Sequence, residues 1–214
     1  MRILVLSFYY PPDIGPGSLR AKSIVDALIE EGPPDLKIDV ITTMPNRYHS
    51  LNIFASKYMD DNKISINRIA LSKHKNGMLD QAKAFILFSF MVRRLTLKKK
   101  WDIVIATSSR LMTASLATYV AKRMNSKIYL DIRDLFTNTI NDIFKKNFLR
   151  ILMPILYRLE KWTFQSADKL NVVSVGFSDY IGKITPNLTP STYTNGVDEM
   201  FLKNDFSIKK IKPK

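Results

Sequence analysis

The chain has 214 residues, of which 33 are lysine or arginine and 19 are aspartate or glutamate, so its formal charge is +14. Because it has no cysteine, disulfides and cysteine-ligated zinc sites are excluded, and a reducing cytoplasm is the expected compartment. The positive charge favours anionic partners, and nucleic acid, an anionic membrane surface and phosphorylated small molecules all meet that description.

Apolar runs alternate with helical stretches along the chain, which predicts a parallel sheet covered by helices on both faces. Several of the runs are continuous, as expected of strands that are buried on both faces. Asp60 and Asp61 are predicted to begin a turn. The main strands are predicted at residues 2–8, 37–43, 102–107, 127–131 and 169–174, with further strands at 63–71 and 191–194.

Helices are predicted between these strands, because apolar residues recur there on one face. In the first helix this face holds Leu19, Ile24, Ala27 and Leu28, and Gly32 with two following prolines ends the helix. The fold expected from this alternation is a Rossmann-like, three-layer α/β domain with a mostly parallel sheet. The helices are predicted at residues 18–31, 79–99, 111–124, 147–167 and 177–183.

The loop between the first strand and the first helix contains Gly15, Gly17 and Ser18. In a doubly wound sheet, ligands bind beyond the carboxyl ends of the strands, where a helix N-terminus offers free amide groups. The glycines would let the backbone approach a diphosphate closely, and Ser18, which is expected to be the helix N-cap, is a further candidate contact to that diphosphate. The chain lacks both the third glycine of a dinucleotide fingerprint and a Walker A sequence, which disfavours nicotinamide-dependent oxidoreductases and ordinary ATPases.

Four segments occur in a recognisable order. An apolar strand leads through Tyr-Pro-Pro and the glycine loop to a helix with Arg20, and Asp-Ile-Arg-Asp-Leu-Phe follows at 131–136. A glutamate helix with Ala-Asp and a strand occupies 160–174, and Asn-Gly-Val-Asp stands at 195–198. Together they resemble the GT-B glycosyltransferases of family 4, with Phe136 where that family usually has tryptophan. The most similar subgroup contains transferases of bacterial surface-polysaccharide assembly.

The resemblance implies the N-terminal half of a two-domain GT-B enzyme, with residues 1–202 as the acceptor-side domain. Residues 203–214 are expected to be a basic linker toward a missing C-terminal domain that binds the nucleotide sugar. The whole enzyme would transfer a sugar from a nucleoside-diphosphate donor to a polyprenyl-diphosphate-linked or saccharide acceptor. The resemblance implies that no cofactor and no metal take part, and the isolated domain is expected to be inactive.

Two arginines and a carboxylate extend the candidate site. The resemblance adds Arg20 to Gly15 and Gly17 as a candidate contact to the donor diphosphate, although Arg20 also fits a plain surface arginine. Arg133 and Asp134 follow a strand end, where an acid, a base or an acceptor contact belongs, and they are the candidate catalytic residues. The same two residues also fit an ion pair that only braces the strand end.

Acceptor contacts are expected in two other loops. Asn46, Arg47 and His49 follow the second strand in a segment that resembles an acceptor-side segment of the subgroup, although His49 also fits an ordinary surface loop. Ser108 follows another strand end and is a further acceptor candidate. It fits equally well as part of a cap for the helix that follows.

Residues 82–100 and 145–162 combine apolar and aromatic side chains with lysine and arginine. Helices of this composition lie in the interface of anionic membranes, which would place the protein on the inner face of the plasma membrane. They also fit sheet-covering helices with solvated basic edges. The alternative to an enzyme is a basic Rossmann-like module that binds nucleic acid or an anionic membrane. Because no nucleic-acid reader motif occurs, no nucleic-acid partner is expected.

Overall fold

Eight strands form one sheet within the part of the chain that the computed structural model describes, which is residues 1–46, 54–71, 78–108, 110–135, 137 and 151–196. The predicted linker at 203–214 lies outside these residues. The strands are Arg2–Leu6 (β1), Lys37–Thr43 (β2), Tyr58–Asp61 (β3), Ile64–Ile69 (β4), Ile103–Ser108 (β5), Lys127–Ile132 (β6), Lys169–Val172 (β7) and Ser191–Thr192 (β8).

The strands lie in the order β3-β4-β2-β1-β5-β6-β7-β8. All neighbours are parallel except β3 and β4, so the prediction of a mostly parallel sheet is confirmed. β1 is central, since Val5 lies beside Val40 of β2 and Ile105 of β5. Because β1 is covered on both faces, its sequence is a continuous apolar run.

β3 is a strand that the sequence pattern did not predict. It pairs with β4 at the edge of the sheet, and all four of its residues are exposed. An exposed edge strand buries neither face, so its sequence Tyr-Met-Asp-Asp contains no apolar run to reveal it. Asp60 and Asp61 end β3, and Asp61 is also the first residue of a turn whose central residues are Asn62 and Lys63, so the predicted turn follows the strand that was missed.

Five α-helices connect the strands within the described residues, and α1 begins two residues before its predicted start. Gly15 is the N-cap of α1, with a φ of 150° that favours glycine, and Pro16 is the first helical residue. Ser18 therefore lies inside the first turn, and its prediction as the N-cap is wrong. The helices are Pro16–Glu31 (α1), Met78–Thr96 (α2), Leu111–Met124 (α3), Met153–Gln165 (α4) and Ser178–Ile184 (α5).

The helices form two layers, one on each face of the sheet. The core on one face joins the sheet to Phe88 of α2, Ala117 of α3, Phe164 of α4 and Ile181 of α5. The core on the other face contains α1. Connections between parallel strands are right-handed. The chain moves across the sheet in one direction from β1 to β2 and in the opposite direction from β5 to β8, so the connecting helices lie on opposite faces. Among the described residues, no helix is long and apolar enough to span a bilayer.

Candidate active site at the carboxyl edge of the sheet

The carboxyl ends of β1, β5 and β6 meet at the point where the chain reverses its direction across the sheet. From β1 the chain continues to β2 on one side, whereas β5 lies on the other side. In open α/β sheets this switch point is where ligands bind. A small polar cleft occupies the switch point, and it is lined by Ser7, Phe8, Tyr9, Gly17, Thr107, Ser108, Arg110 and Arg133.

Arg133 lies directly against the first turn of α1. A Cβ atom placed on Gly17 would be 2.8 Å from Nη2 of Arg133, so only glycine allows this approach without displacing the guanidinium. The backbone N–H of Arg133 donates to the Ser108 carbonyl at 3.1 Å, which ties the loop after β6 to the end of β5. A helix N-terminus carries partial positive charge, so the guanidinium and the helix end place two positive groups side by side.

Arg110 brings a second cation to the same cleft. Its guanidinium lies 4.8 Å from the centre of the Phe8 ring and 5.3 Å from that of Tyr9, and its Nη2 donates to the Tyr9 hydroxyl at 2.8 Å. These contacts hold the cation between the loops that follow β1 and β5. Arg110 was not predicted from the sequence, although its position just after a strand end, close to Ser108, was an available signal.

Ser108 shapes the loop that carries Arg110. Its hydroxyl donates to the Arg110 carbonyl at 2.7 Å and accepts the Arg110 backbone N–H at 2.8 Å. The side chain lies on the cleft wall but is buried. Contact between Ser108 and an acceptor stays a prediction, and the observed role of its hydroxyl is to order the turn after β5.

Arg20 points toward the sheet, where it pairs with Asp131 of β6. Its Nε and Nη2 donate to the two carboxylate oxygens at 3.1 and 2.8 Å. Asp131 is fully buried and also accepts the Thr107 hydroxyl at 2.7 Å and the Asn171 amide at 2.6 Å. Such a carboxylate is stabilised inside the protein because each lone pair has a donor.

The remaining donors of Arg20 reach the strand end beyond β8. Nη1 donates to the Thr194 carbonyl at 2.8 Å, and Nη2 also donates to the Tyr193 carbonyl at 3.1 Å. Arg20 thus joins α1, β6 and the segment after β8. Contact between Arg20 and a donor diphosphate stays a prediction. That contact would require the guanidinium to leave these partners. Burial and the nearby Asp131 charge raise the pKa of Tyr129.

Ser18 and Asp134 are the chain neighbours of Gly17 and Arg133. Ser18 is buried in the first turn of α1, and its hydroxyl has no hydrogen-bond partner. Asp134 follows Arg133 on the loop after β6 and is partly buried. The diphosphate role predicted for Ser18 and the catalytic role predicted for Asp134 both stay predictions.

Glu160 of α4 anchors the loop that carries Arg133. Its buried carboxylate accepts the Thr137 hydroxyl and, at 2.5 Å, the Tyr180 hydroxyl. Burial, together with the hydrogen bond to Glu160, raises the pKa of Tyr180. Because Thr137 lies four residues beyond Arg133, this network restrains the far end of the loop after β6.

Asn46 is the one residue of the predicted acceptor segment that the structure describes, and Arg47 and His49 lie outside the described residues. Its backbone N–H donates to the buried Asp13 carboxylate at 3.2 Å, which brings the end of β2 against the loop after β1. Its amide nitrogen donates to the Thr43 hydroxyl at 2.6 Å, whereas its side-chain oxygen is buried without a hydrogen-bond partner.

A buried arginine on β4 supports the loop after β1 from the other side. The two terminal nitrogens of Arg68 donate to the carbonyls of Ser56 and Pro11 at 3.0 and 2.9 Å. Burial lowers the pKa of Arg68. Burial also raises the pKa of Tyr10 to about 12, and the charge of Asp26 adds to that shift. The loop that precedes α1 is thus held by β2 and by β4.

The structure therefore brings Gly17, Ser108 and Arg133 into one cleft, with Arg20 behind it and Asn46 at the neighbouring strand end. Within the described residues, no three histidine, aspartate or glutamate side chains come together as a metal site requires. The expectation that no metal or cofactor takes part remains untested.

No family model matches the sequence, and no curated protein matches it in sequence. Solved structures match its fold. Sucrose-phosphate synthase from Thermosynechococcus elongatus superimposes with a TM-score of 0.60 at 10% identity, over 92% of this chain and 49% of that one. Arabidopsis thaliana UGT89C1 complexed with quercetin matches with a TM-score of 0.55 at 11% identity, over 91% and 50%. A UGT transferase from Siraitia grosvenorii in complex with UDP matches with a TM-score of 0.51 at 13% identity, over 92% and 51%.

The chain spans about half the length of each of these three structures. Identities this low show a common fold alone, since unrelated activities share the same α/β architecture. The chain accordingly has the Rossmann-like α/β fold that forms one half of the GT-B glycosyltransferases.

Proposed function

We propose that the chain is the acceptor-side half of a GT-B glycosyltransferase. The complete enzyme would transfer a sugar from a nucleoside-diphosphate donor to a lipid-linked or polysaccharide acceptor in bacterial surface-polysaccharide synthesis. The observation that carries the proposal is the Arg133 guanidinium against Gly17 at the N-terminus of α1. A guanidinium beside a helix N-terminus at a switch point is an arrangement that can bind an anion, and we propose that this anion is the donor diphosphate.

The reaction requires one bond to form as another breaks. The acceptor oxygen bonds to the anomeric carbon of the sugar, the bond from that carbon to the diphosphate oxygen breaks, and the diphosphate leaves with the bonding electrons. Arg133, the N-terminus of α1 and Arg110 would stabilise the charge that develops on the leaving group. Asp134 is our candidate to receive the proton that the acceptor hydroxyl loses.

The matched structures support a larger enzyme of which this chain is one half. One of them was solved with UDP and another with quercetin, and each is about twice as long as this chain. We propose that the donor nucleotide is held mainly by a second domain, so that the cleft described above contacts only the diphosphate. The 214-residue chain alone would then be inactive. The lack of cysteine supports a cytoplasmic location.

Binding of inorganic pyrophosphate to the 214-residue chain tests the proposed site without requiring a donor nucleotide. We expect calorimetry to detect binding that Arg133→Gln weakens by about tenfold or more, the effect of losing a charge-assisted hydrogen bond. Arg94→Gln removes an exposed arginine of α2 and is the matched control, with binding unchanged. Equal affinities of the two variants would contradict the site, and sugar transfer by the 214-residue chain alone would contradict the division into two halves.

A further inference from the structure

The outer surface of α2 and α4 exposes large apolar side chains. Ile86 and Phe90 of α2 are 68% and 62% exposed, Ile151 just before α4 is 77% exposed, and Ile155 of α4 is 61% exposed. Single exposed apolar residues are ordinary, but several of them on neighbouring helices mark an interaction surface. These residues lie on the helical layer opposite α1.

The exposed residues follow the same spacing on both helices. On α2 and directly after it they are Ile86, Phe90, Arg93 and Leu97, which are separated by four, three and four positions. The same separations recur from Ile151, just before α4, to Ile155, Arg158 and Trp162 within it. This spacing places the members of each set on one side of a helix, so two apolar stripes with a central arginine face solvent.

α3 lies between the two stripes and completes the surface. It contacts α2 on one side and α4 on the other. Its exposed residues include Met112 and Tyr119, and the guanidinium of Arg93 lies 5.8 Å from the centre of the Tyr119 ring. The stripes and α3 thus form one continuous surface, which we call the helical docking face.

The helical docking face is strongly cationic. The only acidic residues within the bounds of α2, α3 and α4 are Asp80 and Glu160, and Glu160 is buried. α1 on the opposite face differs, since its exposed charges include Asp26, Glu30 and Glu31. The exposed cations of the docking face are Lys83, Arg93, Arg94, Lys122, Arg123, Arg158 and Lys161.

The docking face adjoins the cleft. In a parallel sheet each connecting helix begins near the carboxyl edge, and the cleft lies at that edge. Phe85, next to Ile86, stacks on Phe8 with 6.4 Å between ring centres, and Phe8 lies under the guanidinium of Arg110. The apolar stripe of α2 is therefore separated from the cleft by one layer of aromatic side chains.

We propose that the helical docking face binds the surface of an anionic lipid bilayer and holds the cleft at the membrane. Aromatic and aliphatic side chains enter the interface while arginine and lysine contact the lipid phosphates. A nucleic-acid backbone would satisfy the cations but leave Ile86, Phe90 and Ile155 in water. The consequence that the acceptor carries a lipid anchor rests on the proposed function, whereas the docking itself does not.

Co-sedimentation with vesicles tests the docking face. We expect the 214-residue chain to bind vesicles of phosphatidylcholine that contain one third phosphatidylglycerol, and to bind pure phosphatidylcholine much more weakly. Phe90→Glu and Ile155→Glu should each reduce binding by about tenfold, because each loses a buried apolar group and adds a repelled charge. Leu19→Glu is the matched control, since Leu19 is 58% exposed on α1 and its change should leave binding unaltered.

Three results would overturn the docking proposal: no binding to the anionic vesicles at low salt, equal losses in Phe90→Glu and Leu19→Glu, or binding of duplex DNA without binding of vesicles. The two proposals fail separately. Arg133→Gln should weaken pyrophosphate binding and leave vesicle binding unchanged. Phe90→Glu should weaken vesicle binding and leave pyrophosphate binding unchanged. Circular dichroism of each variant checks that the exposed substitutions preserve the fold.

Discussion

Arg20 and Asp131 form a two-pronged ion pair in the interior, although 111 positions separate them in the sequence. The carboxylate is fully buried, and Thr107 and Asn171 donate to it as well. The pair joins α1 to the centre of the sheet directly behind the cleft. It therefore couples the position of the first turn of α1 to the strand that precedes Arg133.

Asp131→Asn should destabilise the protein by about 3–5 kcal/mol, because the partly buried Arg20 guanidinium loses its counter-charge and faces an amide that also donates. Denaturation by urea measures the loss. Asp26→Asn is the matched control, since Asp26 forms an exposed ion pair with Lys22 one helical turn away, and it should cost less than about 1 kcal/mol. Similar losses in both variants would show that the buried pair has no special role.

Gly17→Ala should weaken pyrophosphate binding while changing the stability of the protein little. The new Cβ would meet Nη2 of Arg133 at 2.8 Å, so the guanidinium must move away from the helix end. Because the end of a flexible side chain can move, we expect stability to change by less than about 1 kcal/mol. Pyrophosphate binding should fall by about tenfold, as measured by calorimetry.

Gly182→Ala in α5 is the control for that experiment, since its Cβ would meet nothing within 4 Å. It should stabilise the helix by about 0.5–1 kcal/mol and leave pyrophosphate binding unchanged. If Gly17→Ala binds pyrophosphate as the parent protein does, the close approach of Arg133 is unimportant for the anion site.

The buried tyrosine of the loop after β1 predicts a loss of stability in alkali. Burial raises the pKa of Tyr10 to about 12, above its ordinary value of 10.0. The unfolded chain therefore releases this proton at lower pH than the folded chain does, so its contribution is complete below about pH 10 and is lost as pH rises toward 12. Tyr10→Phe should reduce the alkaline slope of the unfolding free energy, and an unchanged slope would contradict the assignment.

Glu160→Gln tests whether the hydrogen bonds of Glu160 on α4 position the loop after β6. The amide nitrogen would face the hydroxyl of Thr137 or Tyr180, which now donate to the carboxylate, so we expect a loss of about 1–3 kcal/mol. Pyrophosphate binding should also weaken, because the loop beyond Arg133 loses its anchor. Ser115→Ala is the control. It removes a buried hydroxyl of α3 that hydrogen-bonds to Thr163 of α4, so it should lower stability without affecting pyrophosphate binding.

Much of the fold was predictable because burial on both faces leaves a continuous apolar run. The runs at β2, β5 and β6 marked those strands to within one residue, and α3 was located at its observed bounds. The edge strand β3 was missed because it buries neither face. The start of α1 was placed too late because Pro16 and Gly17 were taken as part of the loop, although proline is favoured in a first helical turn.

The sequence by itself determined the alternation of strands and helices, the parallel sheet, and the presence of glycine, arginine and serine at three strand ends. Only the tertiary structure decided which of these ends meet, because the strand order places β1 between β2 and β5 and so makes Gly17, Arg110 and Arg133 neighbours. It also decided that Arg20 faces Asp131. Local periodicity depends on residues a few positions apart, whereas these contacts depend on how the whole sheet is assembled.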